Sequence, residues 1–186
     1  MELVYLGIVI FLFALSTFDL FVGVSNDAVN FLNSAIGAKV ARFRTILIIA
    51  SIGVFVGATM SNGMMDIARH GIFHPEFFTF EELMCVFLAV VASDVILLDI
   101  FNTLGMPTST TVSMVFELLG GSTALALVKM LHDSSLTYAG LINTDKAFTV
   151  ILAIFLSVAI AFVFGMLVQW ISRLIFTFHY TKHLKY

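Results

Sequence analysis

Five apolar stretches, at about 4–24, 45–65, 83–101, 108–131 and 147–171, each approach the length needed to cross a bilayer. A hydrocarbon core of ~30 Å takes roughly 20 helical residues. At that depth every backbone N–H and C=O must be satisfied within the chain, so spans are helices or a closed barrel. The short segments of alternating apolar and polar residues that a barrel needs are absent. The chain therefore reads as an all-α integral membrane protein. Its composition agrees, with 60% hydrophobic and 11% charged residues against roughly 25% charged in soluble domains.

The N-terminus, Met1-Glu2-Leu3-Val4-Tyr5, lacks the basic start of a secretory signal, and the first stretch reads as a retained helix. The fourth is interrupted by Gly120-Gly121, which predicts a broken or re-entrant helix, its pieces 108–119 and 122–131 too short to cross alone. Residues 66–78 read as an interfacial segment with aromatic anchors and a breaking Pro75. There His70 and His74 stand i, i+4, but Gly71, Pro75 and the lack of a third ligand favour solvated histidines over a metal site. Cys85 is a lone cysteine inside a span.

If each stretch crosses once, Lys39, Arg42, Arg44, Arg173, Lys182 and Lys185 share one side, and Arg69, Lys129 and Lys146 the other. The excess of basic residues places the C-terminus in the cytoplasm and the N-terminus outside, in the cell (plasma or inner) membrane. Residues 1–175 then form one transmembrane unit and 176–186 the start of a cytoplasmic linker or tail. An odd number of crossings means that a second tandem copy would enter the membrane inverted, the plan of many secondary transporters.

Five acids fall in or at the edge of spans: Asp19, Asp27, Asp94, Asp99 and Glu117. At the bilayer centre each costs about 2.5–3.5 kcal/mol on insertion scales and marks a pathway or site. None has a basic partner in its own span, so mobile cations are the natural counter-charge. Asp19, Asn26, Asp27 and Asn30 converge on one helical face, their hard oxygens suited to Na⁺ or, at the carboxylates, to a proton. Gly23 and Gly37 flank this run and would let the helix unwind. Asp94 and Asp99, five apart, cannot both face one site, and Asp99 is expected nearer the water interface.

The partner run is Pro107-Thr108-Ser109-Thr110-Thr111. Proline pre-sets a first turn, hydroxyls cap it, and the helix N-terminus offers N–H and O–H donors to an oxyanion. Alone it is an ordinary cap. Glu117, i+4 from Ser113 and i+7 from Thr110, belongs to the same face.

Together, Val24-Ser25-Asn26-Asp27-Ala28-Val29-Asn30 and Gly105-Met106-Pro107-Thr108-Ser109-Thr110-Thr111 resemble the two signatures of the inorganic phosphate transporter (PiT) family. The resemblance extends to about residue 175. Val24 stands where the family usually has Gly, and Val54 where members often carry a glutamate in the second helix. The resemblance implies cation-coupled (Na⁺ or H⁺) symport of inorganic phosphate. It implies phosphate contacts at Ser109, Thr110, Thr111, Asn26 and Asp27, and coupling-ion ligands at Asp27, Asn30 and Asn26, with Asp19 and Glu117 added from the spacing. A Na⁺ ion at Asp27 and Asn30 is the one metal expected, and no cofactor. The family places each signature in both of two inverted halves, so this chain is expected to be one half of an inverted-repeat transporter. Its partner would be a C-terminal half or an antiparallel copy, with a homodimer as a further option. The alternatives are transport of another oxyanion such as sulfate, and a channel or structural subunit. An enzyme is not expected, since no His or Cys stands near a candidate nucleophile.

Overall fold

The computed structural model describes residues 2–61 and 71–183. Met1–Thr144 form one compact unit and Asp145–Tyr186 a second. In the first, α1 (Glu2–Gly37) is followed by α2 (Phe43–Thr59), a 3₁₀ turn at Pro75–Phe77, α3 (Phe80–Leu104), α4 (Thr110–His132) and the single turn α5 (Tyr138–Leu141). The second unit is one long helix, α6 (Thr144–His183), which starts at the junction. Leu3–Gly37, Phe80–Leu104, Thr110–His132 and Thr144–Phe176 are long and apolar enough to cross a membrane, whereas α2 is a shorter apolar helix. The protein is an all-α membrane protein.

α3 is the central element of the first unit, packed against α1 on one side and α4 on the other. Two polar pairs fix the direction of α1 along it. The Tyr5 hydroxyl donates to Glu81 and Asn26 to Asn102, both 76 residues apart in sequence, so α1 and α3 run parallel. The chain between them must therefore return along the bundle, with α2 as a helical part of that path. α4 runs antiparallel to α3. Lys129 near its end meets Glu82 near the start of α3 at 2.6 Å, and Gly121 faces Val86 and Val90.

Two sequence expectations are corrected here. α4 is continuous through Gly120-Gly121. A Cβ at position 121 would lie 3.3 Å from Val86 Cγ1, whereas one at 120 meets nothing within 4 Å. Gly121 is thus the small residue that lets two helices approach, a common device in membranes. Likewise α1 does not unwind after Gly23 but runs 36 residues, through the whole Ser25–Ser34 stretch. Asn26, Asp27 and Asn30 find partners on neighbouring elements, so the helix has no reason to break. Gly23 serves close packing, its missing Cβ leaving room for Thr110 Cγ2, which would otherwise lie at 3.2 Å.

The end of the bundle opposite the Asn-Asp run is closed by an irregular plug. Ile72 and Phe73, expected at an interface, are instead 1% and 2% exposed. They are held by His74 N–H to Leu141 O at 3.0 Å and Asn143 N–H to Ile72 O at 2.9 Å. His70 lies outside the described residues, so its pairing with His74 does too. Thr79 and Glu82 form a reciprocal capping box at the start of α3. Lys129 Nζ donates to Glu82 at 2.6 Å and to Phe77 O at 2.7 Å, over the ring of Phe78. After α4, hydrogen bonds from Ser135 hold the Asp133 carboxyl below its ordinary range.

The glycine pair gives a direct test. Gly121→Leu should lower stability in detergent by about 1–3 kcal/mol through overpacking. Gly120→Ala should be neutral or raise it by up to about 1 kcal/mol. Thermal melts of the two variants check the contrast.

Candidate functional site

α3 ends in a Schellman turn. Gly105 adopts φ +67°, its N–H bonds Asn102 O at 3.2 Å, and Met106 N–H bonds Phe101 O at 2.8 Å. Glycine is needed there because an L side chain rarely takes that conformation. The turn sends residues 106–109 back across α1, and α4 then begins at Thr110 with Ser109 as its N-cap. Pro107 therefore stiffens the approach and does not occupy the first helical turn, a correction to the expected role.

Asn26 holds this crossing. Its side chain, 2% exposed, donates to Asn102 Oδ1 at 2.8 Å and to Met106 O at 3.5 Å. Its Oδ1 accepts the Thr108 N–H at 2.9 Å. Asn102 in turn donates to Val22 O at 3.3 Å. One turn further, Asn30 Nδ2 donates to Thr108 O at 2.7 Å. The Thr110 hydroxyl donates to Asp27 Oδ2 at 2.8 Å. The two sequence motifs thus touch directly at three residues of α1.

Ser109 Oγ accepts the Val112 N–H at 3.4 Å, so one first-turn donor is already capped. The N–H groups of Thr110 and Thr111 have no intrahelical acceptor by helix geometry. Ser109, Thr111 and Asn30 are exposed, while Asp27 and Thr110 are half-buried. A cavity of about 130 Å³ is lined by Asp27, Thr110, Asp19 and Asp94. A helix N-terminus with open N–H groups and hydroxyls beside amides and a carboxylate can hold an oxyanion and a cation together.

Asp19 and Glu117 lie deeper in the bundle, where each interacts with Asp94. Asp94 is 2% exposed and Asp99 is exposed, so of the two only Asp94 faces the interior. Sequence reasoning missed two residues. Asn102 carried a signal, an amide three residues before a helix-ending glycine. Asp94 reads in the sequence as an intramembrane acid, but its neighbours belong to other helices, so spacing along α3 does not place it beside Asp19.

Asn26→Ala removes a buried amide and strands the Thr108 N–H and the Asn102 amide. It should cost about 1–3 kcal/mol of stability, more than Asn30→Ala at an exposed position, with chemical unfolding in detergent as the measurement. No curated protein and no solved structure matches the chain. The family model described as the phosphate transporter family matches residues 23–185, a span that includes Asn26, Asp27, Asn30 and the 105–111 run. The chain belongs to the phosphate transporter family.

Proposed function

We propose that the chain carries out cation-coupled symport of inorganic phosphate, with the oxyanion at the start of α4 and the cation among the oxygens of α1. The observation that carries this reading is the direct contact of the two motifs, Thr110 Oγ1 on Asp27 at 2.8 Å and Thr108 N–H on Asn26 at 2.9 Å. Family membership supports phosphate as the cargo.

In this reading Ser109, Thr110 and Thr111 give hydroxyl and backbone donors to phosphate. Asn26 fixes the loop that presents them. Asp27 and Asn30 provide oxygens for the cation, Na⁺ or H⁺, with Asp19 and Glu117 beyond them. A phosphate brought next to Asp27 without a cation would place like charges together in a poorly solvated site, and a cation removes that cost. Binding of either therefore favours the other. Among the described residues the donors at the start of α4 are hydroxyls and backbone N–H groups, with no arginine beside them, so the anion is not fixed too tightly to leave.

The exposure of Asn30, Ser109 and Thr111 supports a site completed by a second, inverted half, whether a continuation of the chain, a partner or a second copy. The distribution of Lys and Arg supports the N-terminus outside and the C-terminus in the cytoplasm.

Uptake of labelled phosphate into proteoliposomes tests the reading. Accumulation should follow an imposed Na⁺ or pH gradient and fall about tenfold or more in Asp27→Ala, as expected for a lost charge-assisted contact. Uptake indifferent to both gradients would remove the coupling. Inhibition by excess sulfate equal to that by phosphate would instead assign a broader oxyanion transporter.

A further inference from the structure

Three carboxyl groups lie deeper in the bundle than the anion contacts. Asp19 on α1, Asp94 on α3 and Glu117 on α4 meet in the interior. Asp19 lies about 10 Å along α1 from Asn26, by helical rise. Asp94 is 2% exposed. Asp94 Oδ1, Asp19 Oδ1 and Glu117 Oε2 are all buried without a hydrogen-bond partner. The carboxyls of Asp19 and Asp94 lie within hydrogen-bonding reach of each other, and Glu117 interacts with both.

Two cavities border the pair. One, of about 90 Å³, has apolar walls that include Phe87, Val90, Met114 and Leu118. The other, of about 130 Å³, reaches from Asp19 and Asp94 to Asp27 and Thr110. The charged groups lining this space are Asp19 and Asp27 from α1 and Asp94 from α3, with Glu117 of α4 their nearby acidic neighbour. α1 and α3 contain no Lys, Arg or His. The two basic residues of α4, Lys129 and His132, sit in its last turn, at least ~18 Å along the helix from Glu117. Arg44 on α2 is exposed.

Such a set of carboxylates cannot all be ionised in an apolar cage without an added positive charge. Among the described residues no group of three or more His, Cys, Asp or Glu side chains is arranged to hold a metal ion. Two carboxyls that face each other need only one proton, the acid donating and the carboxylate accepting. We propose that Asp19 and Asp94 form a proton-sharing pair, a site separate from the anion contacts, with Glu117 as the nearby negative group that favours its loading. The proton comes from water, forms an O–H bond on one carboxylate oxygen, and returns to water when that bond breaks.

The existence of the pair does not depend on the transport reading, but its role as the coupling site rests on it. Loading removes one negative charge from the cavity shared with Asp27. Phosphate at the start of α4 and the proton on the pair therefore bind with positive linkage.

Infrared difference spectroscopy of the full chain across pH, in potassium salts without phosphate, reads the pair directly. An un-ionised carboxyl band should appear as pH falls and be lost in both Asp19→Asn and Asp94→Asn. The two variants carry the same expectation, so misfolding of one, seen as lost helix content, leaves the other decisive. Persistence of the band in a folded variant overturns the proposal. So does its disappearance on adding Na⁺ at fixed pH, which would assign the site to a metal cation. In a second arm, inorganic phosphate should bind the wild type about tenfold more weakly once the pair has lost its proton, within ordinary coupling energies, whereas Asp94→Asn shows no such change. A chain that shows the band but binds no phosphate at any pH would overturn the transport reading and leave the proton pair standing. Equal pH dependence in Asp94→Asn would remove the pair from coupling.

Discussion

The arrangement of the first unit depends on one buried amide. Asn26 is the point at which α1, the end of α3 and the approach to α4 are bonded to one another. In a membrane, packing among apolar side chains is not reinforced by water, because lipid is as apolar as leucine, and interhelical hydrogen bonds take a larger share of specificity. Asn26 supplies both donor and acceptor and so fixes the distance and the register of three segments together. Its energetic contribution is modest. Its geometric contribution is large, since it bonds the end of α3 and the approach to α4 to the same point of α1.

The parallel course of α1 and α3 follows from the same constraint. Helices tied at Tyr5–Glu81 and at Asn26–Asn102 keep one register over most of their shared length. Small residues then set how close they come. Gly23 admits Thr110 to α1, and Gly121 admits Val86 and Val90 to α4. Outward, Leu6, Ile10, Phe13 and Phe21 of α1 remain exposed, an apolar surface of the kind a lipid bilayer covers.

The membrane class and the four long apolar helices were legible in the sequence, because hydropathy carries them locally, and the two motifs it singled out are brought into contact. What was not legible is how helices answer one another. Gly120-Gly121 reads as a break when only helix propensity is weighed, yet α4 continues because Val86 and Val90 fill the space beside it. The Asn-Asp run reads as an unwound segment because so many polar groups seem out of place in a span. They are satisfied across the bundle by Asn102, Thr108 and Thr110, so α1 stays whole. Asp94 shows the same limit: its spacing along α3 says that it faces inward, but only packing shows that Asp19 stands opposite.

The clamp of Lys129 on Glu82 and Phe77 O lies at the end of α4 away from Thr110. It makes α4 a lever with its fulcrum at the plug. From Lys129 to Thr110 the helix spans about 28 Å, so a tilt of about 5° at the clamp displaces Thr110 by about 2.5 Å. That displacement is comparable to the 2.8 Å contact between Thr110 and Asp27. The bond between Thr110 and Asp27 is therefore the contact of α4 most sensitive to its tilt, while Gly121, closer to the clamp, would shift by only about 1 Å.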